Sequence, residues 1–416
     1  MNNKVFKSNR EKLMKTIEDN SIVILFGGNA PKKSADEAYP FTPNRNFYYF
    51  TGIEEEEHIA VFTKINGEVK EYVYLKTIDE EMERWTGKTL RAEEAKEISG
   101  IENAAYKDSF ESFLNRLFSG VEEINVYLDM ERDSFDSLSN IVGTFAKSLS
   151  EKYPFARIKN VYPKVIPLRQ VKSKEEIAEM QKAIDITIEG VNFLMKNAKA
   201  GMKEYELEAY FDFVCKKNGA KDFAFKTIAA AGKNATTLHY VDNNCEIKDG
   251  DLILFDLGAQ WNYYNGDISR TFPVSGKFTA RQKEVYEAVL RVNEECIRRI
   301  KPGVKFLDWN KQAKDMIAEE CIKLGLIEKP EEVSKYYWHS IGHSLGLDTH
   351  DIDRPNRDTV FEEGMVWTVE PGIYIAEESI GIRIEDDVVV TKDGAEVLTK
   401  NMIKSVEDIE KYMAEK

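Results

Sequence analysis

The sequence contains little of what marks membrane proteins, secreted proteins and zinc–thiolate proteins. No apolar run approaches the roughly 18 residues that a membrane-spanning helix requires, and the longest early run, SIVILFGG, is typical of one buried strand. The N-terminal stretch MNNKVFKSNREKLMK lacks the apolar centre of a secretory signal. No C-x-x-C spacing occurs, which favours reduced thiols in a cytoplasmic protein. The four cysteines are Cys215, Cys245, Cys296 and Cys321.

An excess of basic charge is also lacking. Lys and Arg number 58 against 73 Asp and Glu, which gives a net charge of -15. Proteins that bind nucleic acid usually present a basic surface, so we expect no nucleic-acid partner. The absence of long apolar runs likewise predicts no membrane association. The acidity is typical of a solvated surface, and it would also suit a site that collects cations.

The length of 416 residues predicts two domains. Apolar strands alternate with charged helical segments in the first part, which indicates an α/β domain. The segment 153–172 contains three prolines and loses helical periodicity, so we place the joint there and predict domains at 1–168 and 169–416. The candidate strands are 21–27, 58–63, 71–75 and 124–129, and the candidate helices are 89–98 and 108–118.

A strong helix start follows the joint. Ser173 is a favourable N-cap, and Glu176 three residues later completes a capping box. Apolar residues then recur at three- and four-residue spacing, which predicts an amphipathic helix. A second helix is expected over 203–217.

The second domain contains an apparent internal repeat. Each half has a glycine (Gly201 or Gly303), an amphipathic helix, and a histidine 38 or 40 residues after that glycine. Each half then has an acid inside or beside an apolar strand and a second acid on the next strand. Strand hairpins with glycine turns are common, so an accidental alignment is the alternative. If the repeat is real, the halves face each other and the acids converge; the paired residues are His239 with His343, Asp256 with Glu370, and Asp267 with Glu385.

Four carboxylates at matched positions point to metal. Any one of Asp256, Asp267, Glu370 and Glu385 taken alone is more often a hydrogen-bonded structural residue. Four in one pocket would repel one another unless cations neutralised them. Four carboxylates and one or two imidazoles exceed a tetrahedral zinc site and suit two bridged ions about 3.5–4 Å apart. Oxygen-rich ligands favour Mn²⁺, with Co²⁺ and Zn²⁺ as alternatives. Such a site hydrolyses an amide or an ester.

Histidine is scarce, yet three of the five histidines lie in WHSIGHSLGLDTHD, residues 338–351. His339 and His343 have the spacing of H-E-x-x-H metalloproteases, but residue 340 is serine and cannot act as the base. Gly342 and Gly346 argue against a stable helix here. Spacing alone therefore leaves open which histidine binds metal; His350 is the third, and His58 in the first domain is predicted to be structural or exposed.

The second domain resembles the pita-bread metallopeptidases, which include methionine aminopeptidase, prolidase, aminopeptidase P and creatinase. GLDTHD, VEPGIY and GIRIEDDVVVT carry the resemblance, which covers about 171 to 400. RNFYYFTGIEE and ERWTGKTL resemble the N-terminal domain of aminopeptidase P and prolidase more weakly. The resemblance implies an α/β N-terminal domain followed by an α+β pita-bread domain with a pseudo-twofold internal repeat.

The resemblance also implies a role for each residue of the metal site. Asp256 would chelate one metal ion, and Asp267 and Glu385 would bridge both ions. His343 and Glu370 would complete the second ion, with Glu370 also a candidate proton carrier. Many family members read His-Gly-x-x-His where this chain has Ser340, a departure that leaves the ligand set unchanged.

Further residues are implied to handle the substrate. His239, His339 and His350 would line the pocket and stabilise a charged intermediate. Arg383 would orient ligands or substrate. Tyr374 would help to orient the groups that bind metal or substrate, without binding the metal itself.

The implied activity is that of an Xaa-Pro aminopeptidase, acting as a homodimer on peptides with proline in second position. Prolidase, restricted to Xaa-Pro dipeptides, is the alternative; the ERWTG segment favours the aminopeptidase. A non-catalytic binding protein or a metal-free creatinase-type enzyme on the same fold is disfavoured because all five ligand positions are present.

Overall fold

The computed structural model describes residues 1–131, 140–353 and 358–415. Contacts between residues divide the chain into two compact units, Met1–Leu168 and Arg169–Lys416.

The first unit is built on a six-stranded mixed sheet with the strand order β6-β5-β4-β1-β7-β8. β1 pairs antiparallel with β4 and parallel with β7, so the unit is α/β, and its sheet contains the antiparallel hairpin β4–β5. Its strands are β1 (Ser21–Phe26), β2 (Lys32–Ser34), β3 (Glu37–Ala38), β4 (Ile59–Ile65), β5 (Glu68–Leu75), β6 (Asn103–Tyr106), β7 (Ile124–Leu128) and β8 (Ala156–Asn160). Its helices are α1 (Asn3–Thr16), α2 (Arg45–Thr51), α3 (Glu80–Thr86), α4 (Ala92–Ser99), α5 (Phe110–Ser119) and α6 (Ile141–Lys152).

The core of this unit follows from strand alternation. Ile22, Ile24 and Phe26 point to one face of β1 and pack with Phe110 and Phe118 of α5. His58, just before β4, is almost fully buried and its Nδ1 accepts a hydrogen bond from the Lys76 N–H at 2.9 Å. His58 was predicted to be either structural or exposed. Its burial and its hydrogen bond confirm a structural role, and the alternative that it is exposed was wrong.

The joint differs from expectation. A helix, α7 (Tyr162–Gln170), occupies part of the segment that was predicted to lack helical structure. Pro163 lies in the first turn, where backbone N–H groups have no intrahelical partner in any case. Pro167 lies inside the helix. A short helix therefore forms here although its two prolines predict a break in helical structure.

The second unit contains two pairs of long helices and several small antiparallel sheets, among them β10-β11-β14 and β15-β18-β19. Its helices are α8 (Lys174–Asn197), α9 (Glu204–Lys217), α10 (Ala280–Arg299), α11 (Phe306–Lys323) and α12 (Val406–Ala414). Its strands are β9 (Asp222–Phe223), β10 (Ile228–Ala231), β11 (Leu252–Leu257), β12 (Ala259–Trp261), β13 (Tyr264–Asn265), β14 (Ile268–Pro273), β15 (Val366–Val369), β16 (Gly372–Ile375), β17 (Ile380–Arg383), β18 (Asp386–Val390) and β19 (Ala395–Val397).

The start of α8 is the predicted capping box. The Ser173 hydroxyl accepts from the Glu176 N–H, and the Glu176 carboxylate accepts from the Ser173 N–H at 2.8 Å. These reciprocal bonds satisfy two donors that a helix start otherwise leaves without partners. The second helix, α9, also lies within a residue of its expected range.

The internal repeat is visible in backbone hydrogen bonding. In the first half, the Gly201 N–H donates to Ile247 O at 2.8 Å, and a β-bridge joins Lys203 to Glu246. In the second half, Gly303 and Lys305 make the corresponding bonds to the chain just before β15; the partners there are Phe361 O at 2.9 Å and Val360. The same pair of backbone interactions therefore precedes the second helix of each half. A chance alignment of glycine turns does not explain this match.

Candidate metal centre and cleft

The four predicted acids sit where strands of the second unit begin or end. Asp256 lies within β11, opposite Ser269 of β14. Asp267 immediately precedes β14, and Glu385 lies between β17 and β18. Glu370 was expected to interrupt a strand; it instead follows β15 directly, and its N–H donates to Ile341 O at 2.8 Å.

These acids converge with His343. Ligand atoms of Asp267, His343 and Glu385 all lie within 4.8 Å of one another. The Nε2 atom of His343 is 3.5 Å from Asp267 Oδ2 and 3.6 Å from Glu370 Oε1. Four of the five predicted ligands thus lie within 4.8 Å of another member of the group, and Asp256 is linked to the group through Arg383.

The orientation of His343 shows which ring nitrogen faces the acids. Its Nδ1 lies 3.1 Å from the Ser344 carbonyl oxygen, which can only accept, so Nδ1 carries the proton. The Nε2 lone pair therefore faces two carboxylates. A lone pair aimed at anions is the arrangement that a cation between them would satisfy, and a backbone carbonyl on the other nitrogen is typical of metal-bound imidazoles.

Negative charge is concentrated in this group. Burial, and then the neighbouring acids, raise the pKa of Asp267 and of Glu385 well above their ordinary values. Burial also raises the pKa of Glu370. Each shift expresses the same physical fact, that the protein alone does not neutralise so many buried carboxylates.

Arg383 supplies positive charge inside the group. Its Nη2 donates to Asp256 Oδ2 at 2.5 Å, and its Nε donates to Ser269 Oγ at 2.8 Å. Ser269 passes the interaction on, because its hydroxyl donates to Glu385 Oε2 at 2.8 Å. One guanidinium cannot balance four acids, so charge compensation by the described residues is incomplete.

Two buried oxygens of the predicted ligands accept no hydrogen bond from the described part of the chain. They are Asp256 Oδ1 and Asp267 Oδ1. Unsatisfied buried carboxylate oxygens are costly unless a cation coordinates them. The residues therefore fit divalent metal, and the oxygen-rich donor set fits a hard ion.

His339 and Tyr374 form a neutral pair beside the acids. His339 Nδ1 donates to Ser340 O at 2.8 Å, so Nε2 accepts from the Tyr374 hydroxyl at 2.8 Å. Burial, and then the charge of Arg383, lower the pKa of His339 to about 3. Tyr374 in turn accepts from Arg383 Nη1 at 3.0 Å. Both nitrogens of His339 thus have protein partners.

A cavity of about 630 Å³ opens onto these residues. His239 and His350 lie on its wall and are exposed, and the His350 ring stacks obliquely on His343 with centroids 4.2 Å apart. Its apolar lining comes from Phe225, Ile228, Leu238, Val241, Phe306 and Trp367. The predicted site residues other than Tyr374 therefore line one cleft, which has both polar and apolar walls, and the prediction that Tyr374 binds substrate differs from its buried position.

Sequence reasoning missed three contributors. Ser269 joins Arg383 to Glu385, and Thr368 Oγ1 accepts from the His343 N–H at 3.1 Å. The Asp387 carboxylate accepts from the Asp267 N–H at 3.0 Å. Ser269 and Asp387 each lie two positions after an acid, and Thr368 lies two positions before Glu370, so strand alternation offered a signal for all three.

Comparison with known proteins agrees with this geometry. Residues 178–392 match the model of metallopeptidase family M24, and residues 6–127 match the N-terminal domain of aminopeptidase P. The chain belongs to metallopeptidase family M24. Among M24 relatives, it is 33% identical to Xaa-Pro aminopeptidase of Escherichia coli, over 98% of this chain and 97% of that protein. It is 32% identical to human Xaa-Pro aminopeptidase 3, over 98% of this chain and 85% of the human protein.

Solved structures of M24 peptidases cover the whole chain. A proposed aminopeptidase P from Bacillus anthracis superposes with a TM-score of 0.97 at 51% identity, covering 100% of this chain and 99% of its own. Aminopeptidase P of E. coli, solved with the inhibitor Pro-Leu, gives a TM-score of 0.91 at 32% identity with the same coverage. These similarities confirm the prediction of an aminopeptidase P-type N-terminal domain that is followed in the chain by a pita-bread catalytic domain. None of the helices that the structure describes is long and apolar enough to span a membrane.

Proposed function

We propose that this M24 peptidase is an Xaa-Pro aminopeptidase, which removes the first residue of peptides whose second residue is proline. The observation that carries the proposal is the convergence of His343 with four buried or half-buried acids on the wall of a peptide-sized cavity. The similarity to proteins named Xaa-Pro aminopeptidase over nearly the full length supports the substrate class.

Two divalent ions are proposed as the cofactor. Asp256 would hold one ion, His343 and Glu370 the other, and Asp267 and Glu385 both. When bound, such ions polarise a peptide carbonyl and lower the pKa of water, which is the chemistry that amide hydrolysis needs. We infer Mn²⁺ as the metal because oxygen atoms dominate the donor set.

The protein groups around the cofactor are proposed to position and protonate the substrate. Glu370 lies at the cleft, and burial raises its pKa, which suits a group that takes up a proton and delivers it to the departing proline nitrogen. His239 and His350 offer N–H donors to the peptide from the cavity wall. His339 and Arg383 hold the Tyr374 hydroxyl from both sides.

We also propose a cytoplasmic homodimer. All four cysteines are free, and Cys215, Cys296 and Cys321 are buried thiols, which suits a reducing compartment. Sedimentation velocity of the purified protein tests the dimer, and fractionation of the source cells tests the compartment.

The decisive assay measures hydrolysis of an Xaa-Pro dipeptide and of tripeptides and longer peptides that begin Xaa-Pro, each with Mn²⁺ and with chelator. Cleavage of the longer peptides before proline, abolished by chelator, is expected. Activity confined to dipeptides would instead identify a prolidase.

The matched control is Asp267→Asn, which removes one charged ligand without changing the size of the side chain. This variant should lose activity on every peptide while wild-type protein retains it. Hydrolysis that survives both chelator and Asp267→Asn would contradict the metal-dependent mechanism.

A further inference from the structure

A buried carboxylate outside the metal group organises the segment that carries His239. Glu204, at the start of α9, is fully buried. Its Oε1 accepts from the Ala231 N–H at 2.8 Å and from Asn234 Nδ2 at 3.0 Å. Its Oε2 accepts from the Tyr240 hydroxyl at 2.8 Å and from the Cys245 N–H at 2.9 Å. A buried acid with four donors on it is fully satisfied as the anion.

The four donors belong to one stretch of chain. Ala231 ends β10, and Cys245 lies in the connection between β10 and β11. His239 lies between them, beside Tyr240, and reaches the cavity wall. Glu204 therefore holds both ends of the segment 231–245 and the residue next to His239.

The second half of the repeat lacks this carboxylate. Phe306 starts α11 as Glu204 starts α9, and its N–H donates to Thr359 O as that of Glu204 donates to Cys245 O. The Phe306 side chain packs on Trp367 with ring centroids 5.0 Å apart. A helix can therefore begin at this position of the repeat without an acid. Glu204 instead serves a feature of the first half, the segment 231–245 that carries His239.

We propose that Glu204 is a positioning residue for His239, acting through the segment 231–245. The carboxylate places the imidazole at the cavity wall without touching the substrate. This inference rests on the proposed peptidase activity for its kinetic consequence, but its structural consequence can be measured without any substrate.

Glu204→Gln is the direct test. A carboxamide offers one acceptor oxygen, and its NH₂ group must face at least one backbone or amide donor, so at least one of the four bonds is lost. Hydrogen exchange at the Ala231 and Cys245 amides should accelerate about tenfold or more, while exchange in β11 stays unchanged. With wild-type metal content, kcat/KM on an Xaa-Pro tripeptide should fall about tenfold or more.

A double-mutant cycle with His239→Ala separates positioning from a general structural role. If Glu204 acts through His239, Glu204→Gln should lower kcat/KM by less than about twofold in the His239→Ala background. An equal loss in both backgrounds, or unchanged exchange at Ala231 and Cys245, would overturn the proposal. Exchange that accelerates in a protein that cleaves no Xaa-Pro peptide would sink the proposed function and leave the anchoring intact.

Two further variants guard the test against misfolding. Tyr240→Phe removes one of the four bonds without burying an unmatched polar group, and a smaller change in the same direction is expected. Glu176→Gln alters another buried glutamate that accepts from a backbone N–H and a tyrosine hydroxyl, those of Ser173 and Tyr264. It should change kcat/KM by less than about twofold, and a loss as large as that of Glu204→Gln would count against a specific role.

Discussion

Arg383 donates a hydrogen bond to Asp256 Oδ2 at 2.5 Å, while the other oxygen of Asp256 is buried without a hydrogen-bond partner among the described residues. One oxygen of the Asp256 carboxylate therefore pairs with the guanidinium, and the other oxygen would bind the proposed metal ion. The same guanidinium reaches Ser269 and the Tyr374 hydroxyl. Arg383 therefore links a ligand from the first half of the repeat to groups from both halves.

Arg383→Lys should lower kcat by roughly tenfold to a hundredfold while most of the metal stays bound. A lysine ammonium keeps the charge but cannot make three bonds in the fixed plane of a guanidinium. Steady-state kinetics and metal analysis of the purified variant measure the two effects. Arg281→Lys is the matched control because Arg281 forms a two-bond pair with Glu378 at the surface; it should stay within about twofold of wild type.

The three histidines of WHSIGHSLGLDTHD should separate into two classes. His343→Ala should lose metal, because His343 Nε2 faces Asp267 and Glu370. His339→Ala and His350→Ala should retain metal and lose activity, since His339 pairs with Tyr374 and His350 lies on the cavity wall. Metal content by mass spectrometry decides; equal metal loss in all three variants would mean that the segment is a histidine-rich metal site.

Much of this site follows from local pattern. The four acids lie within or beside apolar runs, and they are Asp256, Asp267, Glu370 and Glu385. Burying a carboxylate is costly unless it is paired or binds a metal, so their positions in the sequence already predict a functional site. The N-cap at Ser173 is equally local, because both of its bonds lie within one helical turn.

Other features depend on contacts between distant parts of the chain. Glu204 reaches donors 27 to 41 positions away, and no periodicity marks a carboxylate that will be buried at a helix start. Arg169 pairs with acids about 180 positions away. Such partners are set by tertiary packing, so a single sequence shows the charged residues without showing which of them meet.

Asp351→Asn should destabilise the protein by about 3–5 kcal/mol. The Asp351 carboxylate is buried between Arg169 and Lys172, and its Oδ2 lies 3.0 Å from Lys172 Nζ. Burial alone would raise the pKa of Asp351, but Arg169 and Lys172 hold it below its usual value. Removing the anion takes the Asp351 charge away from the buried Lys172 ammonium and leaves Arg169 paired with Asp348, a loss of charge compensation that urea unfolding would detect. The exposed pair Lys311–Asp315 provides the control, since Asp315→Asn should cost less than about 0.5 kcal/mol. Equal effects would show that Asp351 does not compensate buried charge.

His58 should make the first unit sensitive to mild acid. Burial lowers the pKa of His58 to about 4, against about 6.5 for an unfolded histidine. The unfolded chain therefore binds more protons between these two values, so this contribution to stability is complete above pH 6.5 and is lost as pH falls toward 4. The loss amounts to about 2 kcal/mol at about pH 5.

His58→Gln tests this pH dependence, because the glutamine carbonyl can still accept from the Lys76 N–H but cannot titrate. Opening free energies for the amides of β4 and β5, from hydrogen exchange corrected for intrinsic rates, should fall by about 2 kcal/mol more in wild type than in the variant between pH 7 and about pH 5. The sheet is the right place to measure, since His58 immediately precedes β4 and its bond to Lys76 lies just beyond β5. If wild type and variant lose the same stability, protonation of His58 is not what weakens the unit in acid.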